Sequence, residues 1–158
     1  MKITGIDFNA PTNIVIPILR GETEIIFQAS CISDYSEFEK ICIEPEAPMK
    51  RFRESGKTTP DLNDKDYREK IEKFSTYRYE WMVAKSLLAT EGLEWDTVDF
   101  SNPDTFANYK EELKSLKFSD IQIGQLIQGV LESNGLSESR LSEAKNRFLA
   151  SQQEAQPS

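Results

Sequence analysis

The first part of the chain contains short apolar runs of strand length. Residues 13–19 and 24–29 are rich in β-branched and aromatic side chains, which favour strands. Gly21 lies between the two runs and suits a tight turn, so they predict a β-hairpin. Pro17 places the first strand at a sheet edge or a bulge, because proline cannot donate to the strand ladder. Residues 2–8 alternate weakly and predict a third strand or an extended arm.

From residue 33 onward the apolar positions recur at helical spacing. The second predicted helix is long and runs to about Thr90, after which Gly92 supplies a left-handed end. The helix after Ser119 has the strongest start signal, because Gln122 completes a capping box. Helices are predicted to begin after these candidate cap residues: Ser33 or Asp34, Asp64 or Asp66, Asn102, Ser119 and Ser137.

The last two helices carry a further packing signal at their starts. An apolar residue on either side of each cap is placed to form a hydrophobic staple. The two pairs are Phe118 with Ile123 and Leu136 with Leu141. The final helix is expected to bury one apolar face, made of Leu141, Ala144 and Phe148. The helices after residue 64 are therefore expected to pack as antiparallel neighbours with short connections.

These elements together predict an α+β fold. An N-terminal β-hairpin of two to three strands with a short helix is followed by a mainly α-helical cluster of about four helices. Pro45 and Pro48 end the short helix, because proline disfavours helical geometry in the residue before it. The predicted divisions are 1–44 for the hairpin and short helix, 45–63 for a proline-bounded irregular linker, 64–151 for the helical domain and 152–158 for a disordered tail.

Composition excludes several classes of function. The 158-residue chain has no histidine, which excludes Ser-His-Asp and Cys-His nucleophile systems and histidine-ligated zinc. Two cysteines are too few for a four-thiolate metal site. A net charge of −8 argues against binding to nucleic acid or to an anionic membrane surface, both of which need clustered Lys and Arg. No apolar stretch approaches the ~20 residues that cross a bilayer.

No sequence motif points to catalysis. The chain lacks a phosphate-binding loop, a glycine-rich dinucleotide turn and a GxSxG nucleophile motif. Four carboxylates lie close together at Glu91, Glu94, Asp96 and Asp99. They are interpreted as a solvated acidic connector, with a Mg²⁺ or Ca²⁺ site as the alternative, because the order of an EF-hand loop is missing. The prediction is a protein without catalytic, cofactor or metal-binding residues.

Two groups of residues are candidates for contact with a partner. The only net basic zone of the chain includes 50–53, which is either a solvated loop or a contact for an acidic partner. An aromatic stripe on the long helix is either core or the lining of a partner groove. The residues predicted to contact a partner are Lys50, Arg51, Phe52, Arg53, Phe74, Tyr77, Trp81 and Trp95.

Several segments, taken in order, resemble one family of small tailed-bacteriophage proteins, some of them labelled tail assembly chaperones. An aromatic helix ends in WMVAKSL, a connector reads TEGLEWDTV, and an Asn-Pro helix start follows in NPDTFANY. The segments that carry the resemblance are 81–87, 90–98, 102–109, 118–127 and 141–149, together with the hairpin and the SDYSEF segment at 33–38.

The resemblance implies a non-enzymatic role in building the virus tail. A chaperone of this type would coat the tape-measure protein, a long apolar helical rod, in the host cell cytoplasm. One alternative is a structural tail or neck component of the virion, in which the hairpin adds a strand to another protein. Another is a small acidic regulator that binds a host protein. Self-association and presence in the mature particle stay open.

Overall fold

The structure, a computed structural model that describes residues 1–10 and 12–155, has the predicted α+β class. Two strands form an N-terminal hairpin, and residues 1–10 form no third strand. The elements are β1 (Ile14–Arg20), β2 (Thr23–Ala29), α1 (Ser36–Ile41), β3 (Met49–Arg51), β4 (Thr58–Pro60), α2 (Lys65–Ser86), α3 (Asn108–Ser115), α4 (Asp120–Ser133) and α5 (Glu138–Glu154), with 3₁₀ turns at Leu87–Ala89 and Pro103–Thr105.

The chain divides into two compact units. Unit 1 consists of Met1–Ile32, Ser86–Glu94 and Phe118–Ser158, and unit 2 consists of Ser33–Lys85 and Trp95–Lys117. The predicted boundaries at 44 and 64 do not match this division. The hairpin shares a unit with α4 and α5, whereas α1 shares one with α3 and nearly all of α2. The two units are defined by contacts between residues far apart in the sequence. The positions of Pro45 and Pro48 carry no information about such contacts.

Unit 1 is built on the hairpin. β1 and β2 pair antiparallel with Ile16 opposite Phe27, so alternate side chains share one face. Gly21 has a φ of +61° at the first position of the two-residue turn, which a type II′ hairpin turn requires. The buried residues of the inner face are Ile16, Ile18, Phe27 and Ala29.

The inner face of the hairpin packs on α4. Gly129 allows a close approach, because a Cβ atom at this position would lie 2.3 Å from Ile16 Cδ1. The capping box is present, with the Ser119 hydroxyl accepting from the Gln122 backbone N–H and the Gln122 side chain accepting from the Ser119 N–H. Gln122 Nε2 also donates to the carbonyl of Leu19 at 2.9 Å, which fixes the start of α4 against β1.

The two predicted staples have opposite outcomes. Phe118 and Ile123 are both buried beside the start of α4, as predicted. Leu136 is 52% exposed and Leu141 is 58% exposed, so the residues of the second predicted staple are not buried. Ser137 is buried, but its side chain makes no capping hydrogen bond to α5. The spacing of a staple shows which apolar residues can pack on each other. Whether they become buried depends on the tertiary packing around them.

The predicted N-terminal caps of the other helices are only partly right. Asp64 accepts a hydrogen bond from the Tyr67 N–H at 2.9 Å, so it caps α2 as predicted. Asp34 accepts from the Ser36 N–H, but the residue at the cap position of α1 is Tyr35. Asn102 caps the 3₁₀ turn at Pro103–Thr105 rather than α3 itself.

The disordered tail and the irregular linker need correction as well. α5 continues to Glu154, so residues 152–154 are helical, while 156–158 lie outside the described residues. The segment predicted to be irregular contains the antiparallel pair of β3 and β4, with Lys50 opposite Thr59. Every residue of these strands is exposed. Because the strands bury no face, their sequences lack the alternation of apolar and polar residues that would predict them.

Unit 2 is organised around Phe38. This side chain is fully buried, and its ring lies 5.5 Å from Phe74, 5.7 Å from Trp81 and 6.4 Å from Phe106, measured between centroids. α1 thereby packs on α2 and on the segment that leads into α3. Among residues 1–10 and 12–155, no helix has the length and apolar character needed to cross a membrane.

A buried carboxylate links α2 to α3 within unit 2. Glu80 accepts a hydrogen bond from the Tyr109 hydroxyl at 2.6 Å and lies 2.6 Å from Lys110 Nζ. Tyr109 is fully buried, and burial, followed by the hydrogen bond to Glu80, raises the pKa of its hydroxyl far above the ordinary value. The tyrosine is therefore held in its neutral form, as a donor to Glu80.

Replacing Tyr109 by phenylalanine is expected to lower the free energy of unfolding by about 1–3 kcal/mol at neutral pH, because Glu80 loses a buried donor. Above about pH 10 the unfolded chain releases the tyrosine proton before the folded chain does, so stability falls as the pH rises. Tyr109→Phe should make that fall shallower. Urea unfolding at several alkaline pH values measures it, and an unchanged slope would contradict this role of Tyr109.

Candidate functional site

A groove of about 430 Å³ lies beside α2 in unit 2, and we call it the α2 groove. Its volume is within the usual range for ligand and side-chain pockets. One wall belongs to α2, and the other comes from the chain that follows α1. The lining residues are Ile41, Cys42, Ile43, Glu44, Pro45, Lys70, Lys73, Phe74, Tyr77 and Pro103.

The wall after α1 is extended because the helix stops at Ile41. Cys42 has φ −113° and ψ 110°, and its N–H donates to the Phe38 carbonyl at 2.8 Å. Pro45 keeps the residue before it away from helical geometry. Ile43 is left 85% exposed, an unusual position for a β-branched apolar side chain next to an apolar groove.

Two aromatic residues of α2 line the opposite side. Phe74 is half-buried and packs against the Phe38 ring. Tyr77 is half-buried, contacts Phe106 edge to face at 6.3 Å, and donates its hydroxyl to Asp104 Oδ1 at 2.6 Å. The surrounding core therefore fixes both rings, and their remaining surface lines the groove.

The charged groups of the groove are engaged locally. Lys70 Nζ lies 2.8 Å from Asp66, which raises the pKa of the lysine through their hydrogen bond. Lys73 Nζ lies 5.5 Å from the centre of the Tyr77 ring, within cation–π distance. The two lysines and Glu44 are the charged residues of the lining, and the others are apolar or aromatic except for the Cys42 thiol.

Three groups of the groove that could act as nucleophiles, Cys42, Lys70 and Tyr77, have raised pKa values. Burial raises the pKa of the Cys42 thiol, so the reactive thiolate is disfavoured. The hydrogen bond to Asp104 raises the pKa of Tyr77. With Lys70 also protonated, these side chains can contact a bound group but are not prepared to attack it.

The structure separates the predicted aromatic contact residues. Phe74 and Tyr77 line the α2 groove. Trp81 is 1% exposed, with its ring against Tyr35 and Phe38, so its prediction as a partner contact is corrected to core. Helical spacing places the three residues on one stripe, but the depth of each along α2 depends on how α1 covers it.

The other predicted contacts lie outside the α2 groove. Trp95 is half-buried, and its indole N–H donates to the Ala84 carbonyl at 3.0 Å. The remaining four are exposed and occupy β3 and the turn after it, where Lys50 Nζ lies 5.6 Å from the Phe52 ring. These four residues are Lys50, Arg51, Phe52 and Arg53.

Comparison with known proteins adds no family to this geometry. No family model, curated protein or solved structure matches the chain. Over residues 1–10 and 12–155, no three carboxylate or thiol side chains come together in a way that could hold a metal ion. Within the acidic connector, Asp99 instead accepts hydrogen bonds from Ser101, which lower the pKa of the aspartate.

Of the residues that line the α2 groove, the sequence predicts only Phe74 and Tyr77 as contact residues. In the predicted divisions Ile43 belongs to the part with the short helix and Pro45 to the linker, and Pro103 marks only the start of a helix. Prolines at 45 and 48 do signal an extended segment. Nothing in the local sequence shows that this segment lies against α2, since that follows from the packing of Phe38 on α2.

Proposed function

We propose that this chain is a non-enzymatic binding protein of the phage tail-assembly-chaperone type, which holds an apolar helical stretch of the tape-measure protein in the α2 groove. The observation that carries the proposal is the exposure of Ile43 beside the half-buried rings of Phe74 and Tyr77. An apolar groove with aromatic lining suits the apolar face of a partner helix. We place this activity in the host cell cytoplasm, where tail proteins would be assembled.

The net charge of −8 also supports this proposal. A chaperone must keep an apolar client in solution, and a strongly charged surface around a small apolar groove does so. Burial raises the pKa of the Cys42 thiol and the hydrogen bond to Asp66 raises that of Lys70, which favours the forms of these two groups that are not nucleophilic and fits binding better than catalysis.

The alternative of a structural virion component that adds a strand through the hairpin has less support. On β1, Pro17 has no backbone N–H to offer an added strand, and the Leu19 carbonyl already accepts from Gln122. On β2, the Thr90 hydroxyl accepts from the Gln28 N–H and donates to the Gln28 carbonyl. Edges occupied in this way resist the addition of another strand.

Ile43→Glu tests the groove directly. The change is expected to reduce the amount of co-purified tape-measure protein by at least about tenfold, because a carboxylate would be buried against an apolar helix. The measurement is co-expression of the two proteins followed by affinity purification. Ile43 is 85% exposed, so folding should be unaffected.

Leu116→Glu is the matched control, since Leu116 is 61% exposed in the same unit and does not line the α2 groove. It should retain the partner as the unmodified chain does. A tape-measure protein that is equally insoluble with and without this chain rules out the chaperone function. Equal retention by Ile43→Glu rules out the groove as its site.

A further inference from the structure

Independently of the α2 groove, the apolar face of α5 in unit 1 is uncovered. None of the residues of this 17-residue helix is buried. Phe148 is 61% exposed and Leu149 is 49% exposed, and Leu141 lies two turns before Phe148 on the same face. Most helices owe their stability to the packing of such a face, and isolated helices of this length are marginal in water. A partner that covers this face would therefore stabilise α5.

The exposed face continues into a groove between the end of α4 and the start of α5. This groove has a volume of about 240 Å³ and is lined by Glu132, Gly135, Ser137, Arg140, Leu141, Ala144 and Arg147. Gly135, with a φ of +70°, ends α4 and turns the chain into α5. The Leu136 N–H donates to the Leu131 carbonyl and the Gly135 N–H to that of Glu132, which fixes this turn. The groove therefore has one wall set by backbone hydrogen bonds.

Basic side chains border the apolar face. Unit 1 contains five Lys and Arg residues, and three of them are on α5, which also carries Glu138, Glu143 and Glu154. At 3.6 residues per turn, Arg140 and Arg147 lie along one border of the Leu141–Phe148 stripe, whereas the other border has Lys145 with Glu138 beside it. Arg140 is 3.8 Å from Glu132, but its side chain is 60% exposed and keeps most of its donors available. The border with Arg140 and Arg147 is therefore the basic side of the face, and it favours acidic residues on the matching border of a partner.

The same charges disfavour pairing of α5 with α5 of a second copy. In a parallel pair, Arg140 would face Lys145 of the other copy, because residues five apart meet across such an interface. In the antiparallel pair that sets Ala144 opposite Phe148, Arg147 would lie beside Arg147 of the other copy. Like charges at these positions weaken association.

We infer that α5 and its groove bind an amphipathic helix of another protein, one whose apolar stripe is bordered by Asp and Glu. Leu141 and Phe148 would pack on the stripe of the bound helix. Arg140 and Arg147 would pair with acidic residues along one of its borders, and such pairs add orientation and specificity to the apolar contact.

Two synthetic amphipathic peptides of about five helical turns test this inference on the full chain. They share one leucine stripe, which is bordered by Glu in the first and by Lys in the second. Fluorescence anisotropy should show the Glu-bordered peptide binding at least about tenfold more tightly, with the difference shrinking as salt rises. Equal affinities for the two peptides would overturn the inference.

Variants locate the binding. The double variant Arg140→Glu, Arg147→Glu should reverse the preference between the peptides, and Phe148→Ser should weaken binding of the Glu-bordered one. Ile121→Ser is the control, because Ile121 is 76% exposed in the same unit and lines neither groove. Ile43→Glu should bind the Glu-bordered peptide normally, which separates this site from the α2 groove. Light scattering that shows a dimer lost in Phe148→Ser would instead assign the face to self-association.

Discussion

Phe38→Ala is expected to lower the free energy of unfolding by about 3–5 kcal/mol, among the largest effects of a single substitution in this chain. Phe38 is fully buried and its ring contacts Phe74, Trp81 and Phe106. Alanine would leave a cavity among three aromatic rings that α1, α2 and the segment before α3 cannot close without moving. Proteins of this size are usually stable by about 5–15 kcal/mol, so the loss is a large fraction of the total.

Urea unfolding followed by tryptophan fluorescence measures the effect, since Trp81 belongs to the same cluster. Ile43→Ala is the matched control, because it removes a large apolar side chain only five residues away that is 85% exposed. Its effect should stay within about 0.5 kcal/mol. If the two substitutions cost the same, Phe38 is not the organising residue of unit 2.

Gly129→Ala is expected to destabilise the protein by about 2 kcal/mol, although alanine is the better helix former. The new Cβ would lie 2.3 Å from Ile16 Cδ1 and 2.5 Å from Ile16 Cγ1, so the hairpin must shift or Ile16 must leave its rotamer. Thermal or urea unfolding compares this variant with Gly124→Ala on the same helix. No atom lies within 4 Å of a Cβ built at Gly124, so that substitution should stabilise α4 by up to about 1 kcal/mol.

A double-mutant cycle identifies the contact. Ile16→Ala removes the Cδ1, Cγ1 and Cγ2 atoms that the new Cβ would meet, and alone it should cost about 2–5 kcal/mol. In the Gly129→Ala background the same substitution should cost less, because it opens space for the new methyl group. Additive effects of the two substitutions would contradict the packing of the hairpin on α4.

The signals that worked in the sequence are local. The capping box at Ser119 and Gln122 depends on residues three positions apart, and it is present in full. The hairpin between residues 14 and 29 follows from short β-branched runs around Gly21, and its register matches the alternation of its buried side chains. Hydrogen bonds and turns over a few residues leave a direct pattern in the chain.

The signals that failed depend on distant contacts. Leu141 and Phe148 have the spacing of a buried helix face, yet both are exposed because no described part of the chain covers α5. The spacing of apolar residues shows that a helix has an apolar face. It does not show which part of the protein, if any, packs against that face. Ile43 shows the converse, since it follows the short helix at the end of the predicted division 1–44, where no contact is predicted, and yet it lines the α2 groove.

The most direct test of the α2 groove is hydrogen exchange of the chain alone and in complex with the co-expressed tape-measure protein. Residues 42–44 form the extended wall of the groove, and the Ile43 side chain beside it is exposed. A helix seated in the groove would slow amide exchange in this segment, and slower exchange at residues 42–44 in the complex is the predicted result. Unchanged exchange there, with slowing confined to other parts of the chain, would contradict binding in the α2 groove.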